Sequence, residues 1–190
     1  MNLAYFEEVD YKLTDFSQKG LPKGEYDGCS FRQCNFADND FSGIIFSDCE
    51  FTGSNLSMIK TSQTTFREVK FMDCKLLGVH FEHCSELLFS VGFENCQMNL
   101  SSFFKRNMKK TVFKNCSLRE VDFVEANLSG AVFENCDLEH AIFDHTNLEK
   151  ADLRSSFNYK IDPVSNKIIK AKFSQNGLQG LLDKFDIIIE

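Results

Sequence analysis

No stretch of 18 consecutive apolar residues occurs in this chain of 190 residues, so it holds no membrane-spanning helix. The opening MNLAYFEEVDYKL lacks the basic start and apolar core of a secretion signal, and a cytoplasmic location is expected. There is no P-loop and no G-x-G-x-x-G, which removes the nucleotide chemistry those loops support. Positive charge is in short supply: 21 Lys and Arg stand against 28 Asp and Glu, a formal net charge of −7. Phosphate binding draws on Lys and Arg, so a direct nucleic-acid ligand is not expected, whereas a basic partner is compatible. Trp is absent and Pro occurs only twice, while Phe reaches 21 and Cys 8. In a chain without a secretion signal the eight Cys do not read as a disulfide framework and need another reason.

That reason is a repeat. In ANLSGAVFENCDLEHAIF (126–143) the large residues Leu128, Phe133, Leu138 and Phe143 fall every fifth position. Small residues stand two places before each: Ala126, Ala131, Cys136 and Ala141. A period of five is neither helical nor that of a strand. With the large residue as centre i, one run of centres extends from Tyr26 to Phe81, broken in character only by Thr61. A second runs from Phe93 to Leu153. The two are out of register by two residues, which places a bulge or short loop within Cys84–Gly92 (CSELLFSVG). All eight Cys fall at i−2 (29, 34, 49, 74, 84, 96, 116, 136), and Arg106 is the one charged residue there between the ends of the runs. Free Cys is a small, readily buried group. Positions i and i−2 therefore point inward while i−1, i+1 and i+2 face water. Four such corners close a square coil of twenty residues, and the coils stack as a solenoid.

The motifs ANLSG and CDLEH resemble the pentapeptide-repeat family over roughly residues 24–160. The resemblance implies an all-β fold, a right-handed quadrilateral β-helix. Coils roughly 4.8 Å apart then put residues twenty apart in columns. Phe93, Phe113 and Phe133 form one column, Phe103, Phe123 and Phe143 the opposite one, and Leu and Met fill the other two sides. Allowing for the insertion, Cys34, Ser54, Cys74, Cys96, Cys116 and Cys136 form another. Parallel side chains cannot meet disulfide geometry, so free thiols are expected.

Residues 1–23 read as an imperfect N-terminal coil or cap, with Val9, Tyr11, Thr14 and Phe16 inward and QKGLPKG as a loop. Residues 161–190 read as a C-terminal cap and dimerisation segment. Ser174 can cap a short α-helix over 175–184 whose Leu178, Leu181, Leu182 and Phe185 share a face. With Ile187, Ile188 and Ile189 these are more apolar groups than a lid needs, and a symmetric C-terminal homodimer is expected. The tail GLLDKFDIIIE also resembles the ending of the Qnr-type quinolone-resistance group, which dimerises there.

No catalytic constellation emerges, and no enzyme, cofactor or metal is expected. His80, His83 and Cys84 have metal-like spacing, yet Cys84 points inward while the two His point outward, and zinc wants convergent ligands. His140 and His145 occupy solvated corners. Shape and charge remain. The side carrying Phe41, Phe81, Phe123 and Phe143 has Asp40, Glu82, Asp122, Glu125 and Asp144 against Lys60 and Lys105, the most acidic of the four. Arg106, Lys109 and Lys110 are read as a basic patch on the side of Leu128 and Leu148. Carboxylates on a rigid rod can stand in for DNA phosphates. Resemblance to the Qnr-type and microcin-immunity proteins implies a DNA mimic that binds DNA gyrase or topoisomerase IV and protects them. Here only the two-residue insertion interrupts the coils, where Qnr-type proteins project longer loops. The alternative is a scaffold with an unrelated protein partner.

Overall fold

The computed structural model describes residues 4–185 and residue 187. Short parallel strands climb in steps of twenty residues. Strands β1 (Ala4–Glu7), β3 (Gly24–Asp27), β5 (Ile45–Ser47) and β7 (Thr65–Arg67) form one sheet. Strands β2 (Asp10–Lys12), β4 (Ser30–Arg32), β6 (Glu50–Thr52), β8 (Val69–Met72), β9 (Val91–Glu94), β10 (Val112–Lys114) and β11 (Val132–Glu134) form the second. Isolated parallel bridges such as Asn35↔Asn55 and Ser102↔Asp122 continue the ladder on the remaining two sides. The result is a right-handed quadrilateral β-helix. Its sides are numbered here by their centres: side 1 carries Tyr26, side 2 Phe31, side 3 Phe36 and side 4 Phe41.

Each pentad is tied in both axial directions. The centre amide bonds upward, as Phe36 N to Asn55 O at 2.7 Å, and the residue before it bonds downward, as Asn55 N to Cys34 O at 2.9 Å. Position i+2 turns the corner in the left-handed region, for example Asp38 at φ 60°, Leu100 at 63° and Lys150 at 58°. On many pentads the amide of the next residue then closes onto the centre carbonyl, as Asn39 N to Phe36 O at 2.9 Å, the pattern of a type II turn.

Inside, the centres stack ring on ring. Phe93, Phe113 and Phe133 lie 5.3 and 4.9 Å apart, and Phe103, Phe123 and Phe143 lie 5.5 and 5.2 Å apart, as the columns require. Opposite columns meet edge to face across the core, as Phe113 with Phe123. Each fully buried Phe contributes roughly 1.5–3 kcal/mol, and each ring pair about 0.5–1.5 more.

All eight Cys are free and buried. They are more than small fillers. At i−2 the side chain donates to the carbonyl of a centre in the coil below: Cys49 Sγ to Tyr26 O at 3.3 Å, Cys74 Sγ to Phe51 O at 3.3 Å, Ser54 Oγ to Phe31 O at 3.0 Å, Thr146 Oγ1 to Phe123 O at 2.8 Å. Ser54 Oγ also accepts from Cys34 N at 3.0 Å, and Asn39 makes the same pair of bonds to Phe16 O and Leu21 N. Thiols, hydroxyls and amides thus satisfy carbonyls sealed from water. Burial pushes the Cys49 and Cys84 thiols up to about 12. Hydrogen bonding to the Cys116 thiol, together with burial, raises those of Cys96 and Cys136.

The ends depart from the regular coil. Residues 4–23 form a coil in the twenty-residue register, Ala4 opposite Gly24 and Asp10 opposite Ser30, but an imperfect one at the Phe16–Gly20 corner, where Gly20 N bonds to Phe16 O across a longer turn. Phe6 stacks on Tyr26 at 4.6 Å and buried Leu21 is the centre that closes the coil. Lys19 stays outside, as expected. At the other end the expected helix is broken into a 3-10 turn (Gln175–Gly177), one α turn (Gln179–Leu182) and a second 3-10 turn (Asp183–Phe185). Ser174 does cap it, its Oγ accepting from Gly177 N at 3.1 Å. The break has a packing cause: a Cβ at Gly177 or Gly180 would overlap Tyr159, so both glycines let the tail press onto the last coil. Ile161 N to Gly180 O at 2.9 Å, Lys184–Asp162 at 2.6 Å and Lys160–Asp183 at 3.0 Å fasten it there.

Candidate functional site

Side 4 carries the five candidate carboxylates, held outward at i−1, i+1 or i+2. Asp122 and Glu125 sit in one coil and Asp144 in the next, since Asp122 pairs in register with Ile142. Asp40 and Glu82 lie on the same side several coils away. Asp40 to Asp144 spans five coils, about 24 Å at roughly 4.8 Å per coil.

Most of these carboxylates already have a neighbour. Lys23 lies 3.4 Å from Asp40, whose carboxyl is held below its ordinary value chiefly by Ser42 hydrogen bonds and then by Lys23. Glu82 Oε1 meets His80 Nδ1 at 2.7 Å, Lys105 lies 3.5 Å from Glu125, and His145 lies 3.1 Å from Asp144. Asp122 accepts from Val124 N at 2.8 Å. The structure therefore gathers Asp122, Glu125 and Asp144 into one small group and leaves Asp40 and Glu82 as separate points.

His80 and His83 stack 5.6 Å apart on the surface, while Cys84 is buried beneath them. Among the described residues no three His, Cys, Asp or Glu side chains converge as a metal set. The insertion is a loop. After a 3-10 turn at Phe81–His83, Ser85 N still bonds to Thr64 O; residues 86–89 leave the ladder, which resumes with Ser90 N to Phe66 O and with Val91, which pairs with Val69. Its crest exposes Leu87 and Leu88, 71% and 60% accessible.

Beneath the loop lies Arg106, and here the sequence reading needs correction. Arg106 is 4% exposed, not part of a surface patch with Lys109 and Lys110, which are exposed. Its Nε donates to Phe81 O at 2.7 Å, a terminal nitrogen donates to Cys84 O, and its guanidinium lies 4.9 Å from the Phe89 ring centroid. The sheet of side 1 ends at β7, directly before the loop. Arg106 supplies bonds across the gap. The signal was present in the sequence: it is an inward i−2 residue with donors, the role Cys, Ser and Thr play elsewhere.

At the C-terminal end Leu181 is half-buried against the last coil, so it serves the lid. Leu182 is also half-buried. Leu178, Phe185 and Ile187 remain 46%, 49% and 55% exposed. Ile188 and Ile189 lie outside the described residues. An open cleft of about 530 Å³ separates the tail from the last coil, lined by Phe157, Tyr159, Asn176 and Asp183 among others.

The family profile described as a pentapeptide repeat region matches residues 25–85 and 87–158. No curated protein matches the chain in sequence. Among solved structures, trypsin-treated QnrB1, a plasmid-mediated fluoroquinolone resistance protein, is 19% identical over 98% of this chain and 100% of that one, with a TM-score of 0.47. HetL, a pentapeptide repeat protein involved in heterocyst differentiation regulation in the cyanobacterium Nostoc, is 13% identical over 92% and 86%, with a TM-score of 0.40. A pentapeptide repeat protein of the Arabidopsis thaliana thylakoid lumen is 18% identical over 74% and 77%, with a TM-score of 0.21. No helix among the described residues is long and apolar enough to cross a membrane.

Proposed function

Because the chain belongs to the pentapeptide-repeat family, we propose that it is a non-enzymatic binding protein whose outer faces do the work. The partner we assign is a type II topoisomerase, DNA gyrase or topoisomerase IV. Side 4 would occupy its basic DNA groove, with Asp122, Glu125 and Asp144 as phosphate surrogates. The observation that carries this is the small acidic group on a shaft whose ladder fixes the backbone positions of its carboxylates, so that no backbone segment has to be ordered at binding. The second reading, a scaffold with an unrelated partner, draws on the cations beside Asp40, Glu125 and Asp144, which weaken the acidic field. We also assign a homodimer to the C-terminal end, where Leu178, Phe185 and Ile187 would be covered by a second copy.

A gyrase supercoiling assay with a quinolone present, titrating this protein, tests the partner. Rescue, or inhibition that weakens when Asp122, Glu125 and Asp144 are changed to Lys, supports the mimic. No effect in either direction removes it in favour of the scaffold. For the dimer, Phe185→Glu with Leu178→Glu should halve the mass seen by light scattering. A wild-type protein that is already monomeric sinks that assignment.

A further inference from the structure

One column of the solenoid is ordered by charge from end to end. It is the i+2 corner of side 1, where Glu8, Gly28, Asp48 and Glu68 precede the loop and Lys110, Gly130, Lys150 and Lys170 follow it, all with a positive φ, as has Leu88 on the loop crest between them. Carboxylates occupy the half before the loop, lysines the half after it, and exposed Leu88 the midpoint. The flanking positions follow suit. Glu7, Glu25 and Asp27 lie on the acidic half, interrupted by Arg67; Lys109 and Lys167 lie on the basic half, interrupted by Glu149.

The other sides do not look like this. There, signs alternate between neighbouring coils and close into ion pairs: Arg32–Asp10, Lys114–Glu94, Arg119–Asp137, Lys105–Glu125 and Lys172–Asp152. Among the described residues no ion pair involves a charge of side 1. Segregation forbids it, because each charge has like charges or neutral residues above and below.

We propose that this corner is the docking surface for a second copy of the chain, lying antiparallel with the two-fold axis at Leu88. Reversal about that axis sets Glu68 against Lys110 and Glu8 against Lys170. Lys150 comes opposite Gly28 beside Asp27, and Asp48 opposite Gly130; at the flanks the same reversal sets Glu149 near Asp27 and Lys109 near Arg67, two like-charge meetings that weaken the match. Four centres lie on each side of the loop, Phe6 to Phe66 before it and Met108 to Ile168 after it, so the halves match in length. At the axis the Leu87–Leu88 crest of each copy meets its equivalent, covering two side chains otherwise left in water. A two-fold contact of this kind is isologous and closes at two chains. The strip is long, roughly 38 Å for eight rises of about 4.8 Å, but narrow, which makes the pair weak and dependent on charge. It is distinct from an apolar contact between C-terminal ends, which salt would leave intact.

Sedimentation velocity on the full chain at about 20 mM and about 500 mM salt separates the two. Association is expected to double the mass at low salt and to be lost at high salt. Lys110→Glu, Lys150→Glu and Lys170→Glu together should abolish it at low salt, by about tenfold or more in the association constant. Mixing that variant with one carrying Glu8→Lys, Asp48→Lys and Glu68→Lys should restore a one-to-one pair. A Leu88→Cys variant should cross-link to itself under mild oxidation at low salt only. A mass independent of salt overturns the proposal, as does a charge-reversed pair that fails to associate when both variants keep the wild-type circular dichroism.

Discussion

Truncating Arg106 should release the loop at residues 84–90 while leaving the shaft standing. Arg106→Ala removes the donors to two buried carbonyls, Phe81 O and Cys84 O, and the cation above Phe89. Each orphaned carbonyl costs about 1–3 kcal/mol, and the ring contact about 0.5–2 kcal/mol. Relief of the buried guanidinium's desolvation opposes these terms. A net loss of about 2 kcal/mol is expected from urea unfolding. The local effect should be larger than the global one. The amides of Ser85 and Ser90, bonded to Thr64 O and Phe66 O, should lose hydrogen-exchange protection, and cleavage at Leu87–Leu88 should accelerate. Arg106→Met supplies the control, since it keeps much of the volume and no donor. If the Met variant is as stable and as protected as wild type, the guanidinium is only filling space and the reasoning is wrong.

Three further outcomes follow from the same geometry. Ser54→Ala orphans Phe31 O and Cys34 N and should cost about 1–3 kcal/mol, whereas Ser54→Cys should stay close to wild type; equal stability of Ala and Ser variants in urea would refute the i−2 donor rule. Gly180→Ala should detach the tail, seen as lost protection of the Ile161 amide, because its Cβ overlaps the Tyr159 carbonyl. Burial alone would raise the Asp137 carboxyl, but hydrogen bonds from Asn158 and Arg119 outweigh it and hold the group below its ordinary value. A depressed folded value stabilises above the unfolded value of about 3.9 and is lost as pH falls through the folded one. Asp137→Asn should therefore be less stable than wild type at pH 6, with the gap closing below about pH 4; a gap constant with pH would remove the charge from the explanation.

Much of the fold was legible because burial imposes the five-residue period directly. Phe93, Phe113 and Phe133 could be placed in one column by counting, and so could the Cys column and the two-residue slip. Phe6 and Leu21 were harder, since half-exposed Phe6 and outward Lys19 blur the rhythm at a terminus. The tail's apolar spacing fits a continuous helix, and nothing local reveals that Tyr159 demands a glycine at 177 and at 180. Arg106 could not be placed without knowing that a loop bares two carbonyls in the coil below it. The charge order of side 1 escaped for a simpler reason. Adding charges over a whole side sets Glu7, Glu8, Glu25, Asp27, Asp48, Glu68 and Glu149 against five lysines and Arg67, and the order along the column is lost in the sum.

The corner at every fifth residue makes the chain an indexed object. Gaining or losing five residues would turn everything downstream by a quarter revolution and move each outward side chain to the next face. A change of twenty would keep every face and alter the height by one rise, roughly 4.8 Å. The two extra residues near Leu88 do neither, and the ladder resumes at Val91 with all four faces in place. Length and surface chemistry are therefore separately adjustable by the gene: one in whole storeys, the other by single outward substitutions that the core does not feel.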